Sequence, residues 1–308
     1  MYQHNLQRPI IITGHLIAVD PLTVSPKTDG ETHYLPSQGN GGRPYIPSST
    51  LRHAIRVAAF RVVRDVLQEA GKPLPPDMAL ALYNGAGERK LGAALSWKEE
   101  QALRARNPFV SLFGLWKLQT KLSVGNAYGY KFNLNDPQNN VARRAYIARK
   151  EPESQDIAAL PSFDEYLTHL NGLAKQERAD KKAQAAEENK TAKGADLSVA
   201  SLVEGWEEFI GGTPLDWRLS LFTPNDPFLL PLLVAAFERL SSEPWLGGHK
   251  SSGCGQYAVE LNHGESQISI RDDLSFQATG IFQSALEQFW VQANTGFADF
   301  DFASLDAR

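Results

Sequence analysis

The chain has 308 residues, 42% hydrophobic and 21% charged, with 24 Gly and 18 Pro. This is the composition of a globular protein of one large or two small domains, which excludes global disorder and fibrous classes. Lys and Arg number 31 against 35 Asp and Glu, a formal charge of -4, so any nucleic-acid site must be local rather than a global basic footprint.

One cysteine, Cys254, cannot form an internal disulfide, and no Cys/His spacing suggests zinc. The start of the chain lacks an apolar signal-like run, and the longest apolar stretch, Phe228 to Phe237, is too short to span a bilayer and contains Pro231. The expectation is a soluble, cytoplasmic protein with no membrane partner.

In chain order, PIIITGHLIAV (Pro9 to Val19) is a strand closed by Asp20 and Pro21. Leu22 to Gly42 is longer than an ordinary loop and predicts a functional loop or a hairpin. Leu51, Ile55, Ala58, Val62 and Val66 recur at helical spacing, predicting an amphipathic helix over Leu51 to Ala70 with Ser48, Ser49 and Thr50 as N-cap candidates. Arg52 and Arg56 stand one turn apart near its start.

Residues 72 to 107 read as an inserted subdomain with one or two helices, including Trp97 to Arg106. A strand around Lys117 to Val124 follows, and Asn126 to Leu134 continues it as a second extended segment. VARRAYIARK (Val141 to Lys150) is strongly basic, and the mixed-charge stretch Ala174 to Gly194 reads as an exposed or partly disordered helical insertion. Leu215 to Phe222 alternates as a strand, Pro227 to Leu240 is a core helix, Gly247 to Gly255 is a glycine loop, and Gln256 to Leu261 is another strand. FDFASLDAR is a tail docked by Phe297, Phe300 and Phe302. Strand, helix, strand, twice over, predicts an α+β fold with a ferredoxin-like sheet elaborated by insertions.

Three segments have the chemistry to grip phosphate. The glycine loop sets Gly247 and Gly248 beside His249, Lys250 and Ser251, so that backbone, a cation and a hydroxyl can approach an anion, although it is not a Walker A loop. The helix start offers Ser48, Ser49, Arg52 and Arg56 together with helix N–H groups. Arg143, Arg144 and Tyr146 combine cations with one stacking ring. Each has an ordinary structural explanation when taken alone: a glycine-rich turn, a capped helix with a solvated Arg face, a charged surface hairpin. For catalysis there are seven scattered His and the loop carboxylates Asp20, Asp29 and Glu31, with no paired acid–base spacing and no GxSxG or HExxH pattern.

Together, the segments resemble the RAMP superfamily, the RRM-like proteins of CRISPR effector complexes. IIITGHLIAVDPLTV resembles the family's first strand, and GRPYIPSSTLRHAIR its "PYIPGSSLKGxLR" element. NPFVSLFGLWKLQTKLSV is similar to the "LFG" turn and strand, and GGTPLDWRLSLF with LGGHKSSGCGQYAVE to the "GT-F" strand and terminal glycine loop. Length and insertions look most like the type IV backbone subunit, related to type III backbone subunits.

The resemblance implies an RRM/ferredoxin-like palm (residues 1–70, 107–125 and 211–308 with the C-terminal tail), a helical finger insertion (71–106), and a β-hairpin thumb with the charged helical insertion (126–210). It implies a homo-oligomeric helical filament along guide RNA (crRNA), which presents bases to target DNA or RNA. Its implied partners are a large subunit, a cap subunit on the RNA 5′ end and a helicase. The implied RNA contacts are Ser48, Ser49, Arg52, Arg56, Gly247, Gly248, His249, Lys250 and Ser251 on the palm and Arg143, Arg144 and Tyr146 on the thumb. No cofactor, metal or catalytic residue is expected, because the position of the type III target-cleaving Asp reads Tyr34-Leu35-Pro36. The competing enzyme reading is a RAMP endoribonuclease cleaving target RNA with Asp29 or processing precursor RNA with His53. A third reading is a structural protein without a nucleic-acid role.

Overall fold

The structure, a computed structural model, describes residues 8–24, 32–33, 35–36, 43–85, 96–115, 118–129, 141–148, 202–222, 226–247 and 253–304, with the backbone alone described at 32–33, 143–148 and 202–206. Eleven strands and six helices are described there: β1 (Ile10–Ala18), β2 (Thr32–His33), β3 (Tyr45–Ile46), α1 (Ser48–Glu69), α2 (Pro76–Asn84), α3 (Trp97–Arg106), α4 (Pro108–Phe113), β4 (Leu122–Val124), β5 (Ala127–Tyr128), β6 (Val141–Ala148), β7 (Leu202–Phe209), β8 (Pro214–Leu221), α5 (Leu229–Ser241), β9 (Tyr257–His263), β10 (Ser266–Ile270), β11 (Phe276–Ala278) and α6 (Ile281–Asn294). The protein is mixed α+β. No helix among the described residues is long and apolar enough to cross a membrane.

The main sheet is antiparallel, in the order β11–β10–β9–β1–β8–β5–β3, with β4 also pairing β8. Both β1 and β4 run antiparallel to β8, so they are parallel to each other, joined through α1 with β8 between them. Likewise β8 and β9 both run antiparallel to β1 and are joined through α5. The sheet centre is therefore two interlocked crossovers, each skipping one strand. A smaller three-stranded sheet has the order β2–β7–β6. The chain divides into two units, Met1–Arg144 with Trp206–Arg308, and Ala145–Gly205, the latter within the predicted 126–210 segment.

Period-2 alternation decides which sheet face is covered. Ile12, Leu16 and Ala18 of β1 are buried, as are Leu215, Trp217, Leu219 and Leu221 of β8. The opposite face is polar at its middle: His15 stands between Asp216 and Glu260, and Thr13 between Arg218 and Asn262. On the apolar side, α1 buries Leu51, Ile55, Ala58, Ala59, Val62, Val63 and Val66, the stripe expected from its spacing. α5 is apolar nearly all round because α1, α4, α6 and β10 surround it. Pro231 fits in its first turn, where an N–H has no helical acceptor to lose.

The start of the first helix differs from the sequence expectation. α1 begins at Ser48, so Ser48, Ser49 and Thr50 are helical rather than caps; Pro47 holds the cap position and has no side chain able to cap the end. Of the long loop, the described residues 32–33 form β2, which pairs with β7, and Leu22 bridges Phe209. Between β9 and the tail, where the sequence reading names no element, β10, β11 and α6 extend the sheet and its cover. Phe297 and Phe302 do dock, buried among Phe228, Phe289 and Phe300, and the Asp301 amide donates to the Arg106 carbonyl at 2.8 Å.

Candidate functional site

The element Arg43-Pro44-Tyr45-Ile46-Pro47 delivers the chain to α1, and long-range bonds hold it in place. Arg43 donates Nε–H to the Gly129 carbonyl (2.7 Å) and Nη2–H to Asp216 Oδ2 (2.6 Å), and its guanidinium lies 5.6 Å from the Tyr128 ring centre. Pro47 has no N–H and an extended ψ of 138°, so the helix starts abruptly after it. The Ser48 amide donates to Asn126 Oδ1 at 2.8 Å, which substitutes for a local cap from 78 residues away. Thr50 and Leu51 amides turn back to the Pro47 carbonyl. The first turn has no acidic residue, so nothing on the helix offsets the positive end of its dipole.

The second wall is the Leu112-Phe113-Gly114 turn that ends α4. Gly114 has φ +70°, and a Cβ there would lie 2.6 Å from the Leu118 carbonyl oxygen, so turn shape and close approach both require glycine. The turn points carbonyls at α1: Arg56 donates Nη2–H to the Phe113 oxygen (2.9 Å) and the Gly114 oxygen (2.7 Å). Its guanidinium also lies within 6 Å of the Phe109 and Phe113 ring centres.

Arg56 is 94% buried, with 6% of its surface exposed. It has no carboxylate within ion-pair reach among the described residues. Burial, reinforced by the neighbouring charge of Arg52, lowers its pKa from 12.5 to about 10. It stays charged at neutral pH, at a cost on the order of 3 kcal/mol.

Between the helix start and the turn lies a cavity of about 630 Å³. Ser48, Ser49, Arg52, His53 and Arg56 line it from α1, with Asn84, Gly114, Gln119 and Thr120 opposite, and no carboxylate is among the described lining residues. Arg52 Nε is buried without a hydrogen-bond partner among the described residues. The arrangement suits an anion that accepts from several donors at once.

Of the expected contacts, the structure brings Ser48, Ser49, Arg52 and Arg56 together around this cavity. Gly247 lies apart, at φ +76°, packed so tightly that a Cβ would lie 1.9 Å from the Thr23 carbonyl oxygen, which is reason enough for glycine. It lines a separate cavity with Thr50 and His53. Gly248, His249, Lys250 and Ser251 are outside the described residues, as are Asp29 and Glu31. Arg143, Arg144 and Tyr146 lie in β6, where only the backbone is described. Sequence reasoning missed Asn126 and the turn carbonyls that engage Arg56, since neither partner is marked by local spacing. Among the described residues, no group of three or more His, Cys, Asp or Glu is placed to hold a metal.

Scanned against protein-family models, the chain matches none, and a search of curated proteins returns no match either.

Proposed function

We propose that the chain is a guide-RNA-binding backbone subunit of a RAMP-type CRISPR effector complex, acting in the cytoplasm and closest in kind to the type IV subunit. It would bind the sugar-phosphate backbone of single-stranded RNA and leave bases free to pair with target, without cleaving it. The observation carrying this reading is the cavity at the start of α1, where Arg52 and buried Arg56 stand with no carboxylate counter-ion among the described residues. A phosphate there would complete the hydrogen bonding of Arg52 and offset the cost of burying Arg56.

The order β9–β1–β8–β4, with α1 and α5 in skipping crossovers on one face, supports the finer expectation of a ferredoxin-like, RRM-type palm. On that reading α2 and α3 belong to the finger and β6 to the thumb. Copies would assemble head to tail along RNA, with a large subunit, a cap subunit and a helicase completing the complex.

The test is nuclease footprinting of a defined guide RNA with the purified protein, alongside size-exclusion chromatography. Regular protected blocks, with mass rising in subunit steps as RNA lengthens, are expected. Arg52→Glu should lower affinity at least tenfold and flatten its salt dependence while leaving the fold intact. A single cut on repeat RNA would favour a processing nuclease instead. Absence of protection at any salt would rule out RNA binding.

A further inference from the structure

The residues of α1 beside the Arg52/Arg56 stripe open onto a second cavity of about 290 Å³, near the lower limit of about 300 Å³ for small-molecule sites. Its character differs. Val57, Leu240 and Leu246 give it an apolar lining, and Tyr83 and Trp245 also line it. Tyr83 is 37% exposed yet held in place, with His53 and Phe60 packed edge-on to its ring at 5.9 and 5.6 Å between centres. An exposed aromatic that is fixed in orientation loses little entropy when something stacks on it.

The polar groups of this cavity are cationic in balance. Among the described residues, Arg61 and Arg239 share a single carboxylate, Glu243. Arg239 Nε is buried and has no hydrogen-bond partner among the described residues, so a donor remains for an acceptor on a ligand. A flat, weakly polar body with acceptors at its edge, attached to an anion, fits this combination. A nucleobase on a phosphate chain has those properties, whereas a lipid tail would leave the guanidinium donor unmatched.

His53 lines both cavities. The phosphate-type cavity and the aromatic one are therefore adjoining compartments reached from the same turn of α1. We propose that the second cavity takes one unstacked base of the bound strand, laid over the Val57–Leu240–Leu246 surface beside Tyr83, while the phosphate of that nucleotide occupies the first. This rests on the RNA reading for the phosphate and goes beyond it in assigning a base-holding site to the α1/α5 shoulder. Stacking tolerates any base, so the site would register strand spacing rather than sequence.

The experiment compares affinities of the full-length protein for a uridine dodecamer and for a dodecamer of the same backbone lacking all bases, by fluorescence anisotropy. Wild-type protein should prefer the base-bearing strand at least about fivefold. Tyr83→Ala should remove most of that preference and leave affinity for the abasic strand unchanged, which also shows that the variant is folded. Ala54→Trp, which fills the cavity, should act in the same way. Equal wild-type affinity for the two strands, or a preference that survives both substitutions, overturns the base site and leaves phosphate binding standing. Failure to bind either strand overturns the base site and the RNA reading together.

Discussion

Arg56 and Arg104 are nearly equally buried, at 6% and 5% exposure, and both donate to carbonyls within residues 111–119. They differ in charge compensation. Arg104 is ion-paired with Glu100, one turn away on α3, at 2.7 Å. Arg56 has the Phe113 and Gly114 carbonyls, two aromatic rings and an open cavity, and no carboxylate among the described residues. A cation neutralised within the fold serves the fold; one buried without a counter-ion is stabilised further only by an anion from outside.

The sharpest way to break this contrast is to remove each guanidinium in turn. Arg104→Met leaves the Ser111 and Gln119 oxygens without that donor and Glu100 without its partner. Urea unfolding should show a loss of about 3 kcal/mol with RNA affinity changed less than twofold. Arg56→Met removes carbonyl bonds but also an uncompensated charge, so a smaller loss, about 1 kcal/mol, is expected. The same pair distinguishes the two sites by ligand. Inorganic phosphate at ten times its Kd should stabilise the wild type and Arg104→Met by about 1.4 kcal/mol and leave Arg56→Met nearly unmoved. Equal phosphate stabilisation of all three proteins would erase the distinction.

The smallest effect concerns the Arg104 side alone. Burial raises the Asp226 carboxyl above its usual 3.8, opposed by the Phe228 amide, Ser111 and the charges of Arg104 and Lys121. A raised acid means that the folded state holds the extra proton, so the stability linked to it is present at low pH and is lost as pH rises through the folded-state value. Asp226→Asn should flatten the stability profile just above pH 3.8 and leave phosphate stabilisation untouched. An unchanged profile would show that burial at Asp226 has no energetic consequence.

Elements with a local period were legible in the sequence. The stripe from Leu51 to Val66 marked α1, and alternation from Leu215 marked β8. α3 has the predicted bounds, its start fixed by a capping box between Ser96 and Glu99. β10 and α6 go beyond those expectations although the signal is there: Ile268 and Ile270 alternate, and Phe282, Ala285, Phe289 and Ala293 recur at helical spacing. The site was legible only as residue types. Arg52 and Arg56 stood out as cations, but what separates them is the carbonyl pair at Phe113 and Gly114, which tertiary packing alone brings to Arg56. The same holds for Gly247, shaped by contact with Thr23, more than two hundred residues earlier.

The strand order sets a timetable for making this protein. β1 pairs on one side with residues 214–221 and on the other with residues 257–262. A ribosome adding about 5 to 20 residues per second needs roughly 10 to 40 seconds after finishing β1 to supply its first neighbour. Through that interval an apolar, β-branched segment has both edges unpaired, the condition in which strands join the wrong chain. Yield in a cell should therefore depend on how β1 is sheltered during synthesis, and slow translation should lower it, because the strand that anchors the centre of the sheet is the first made and among the last to be enclosed.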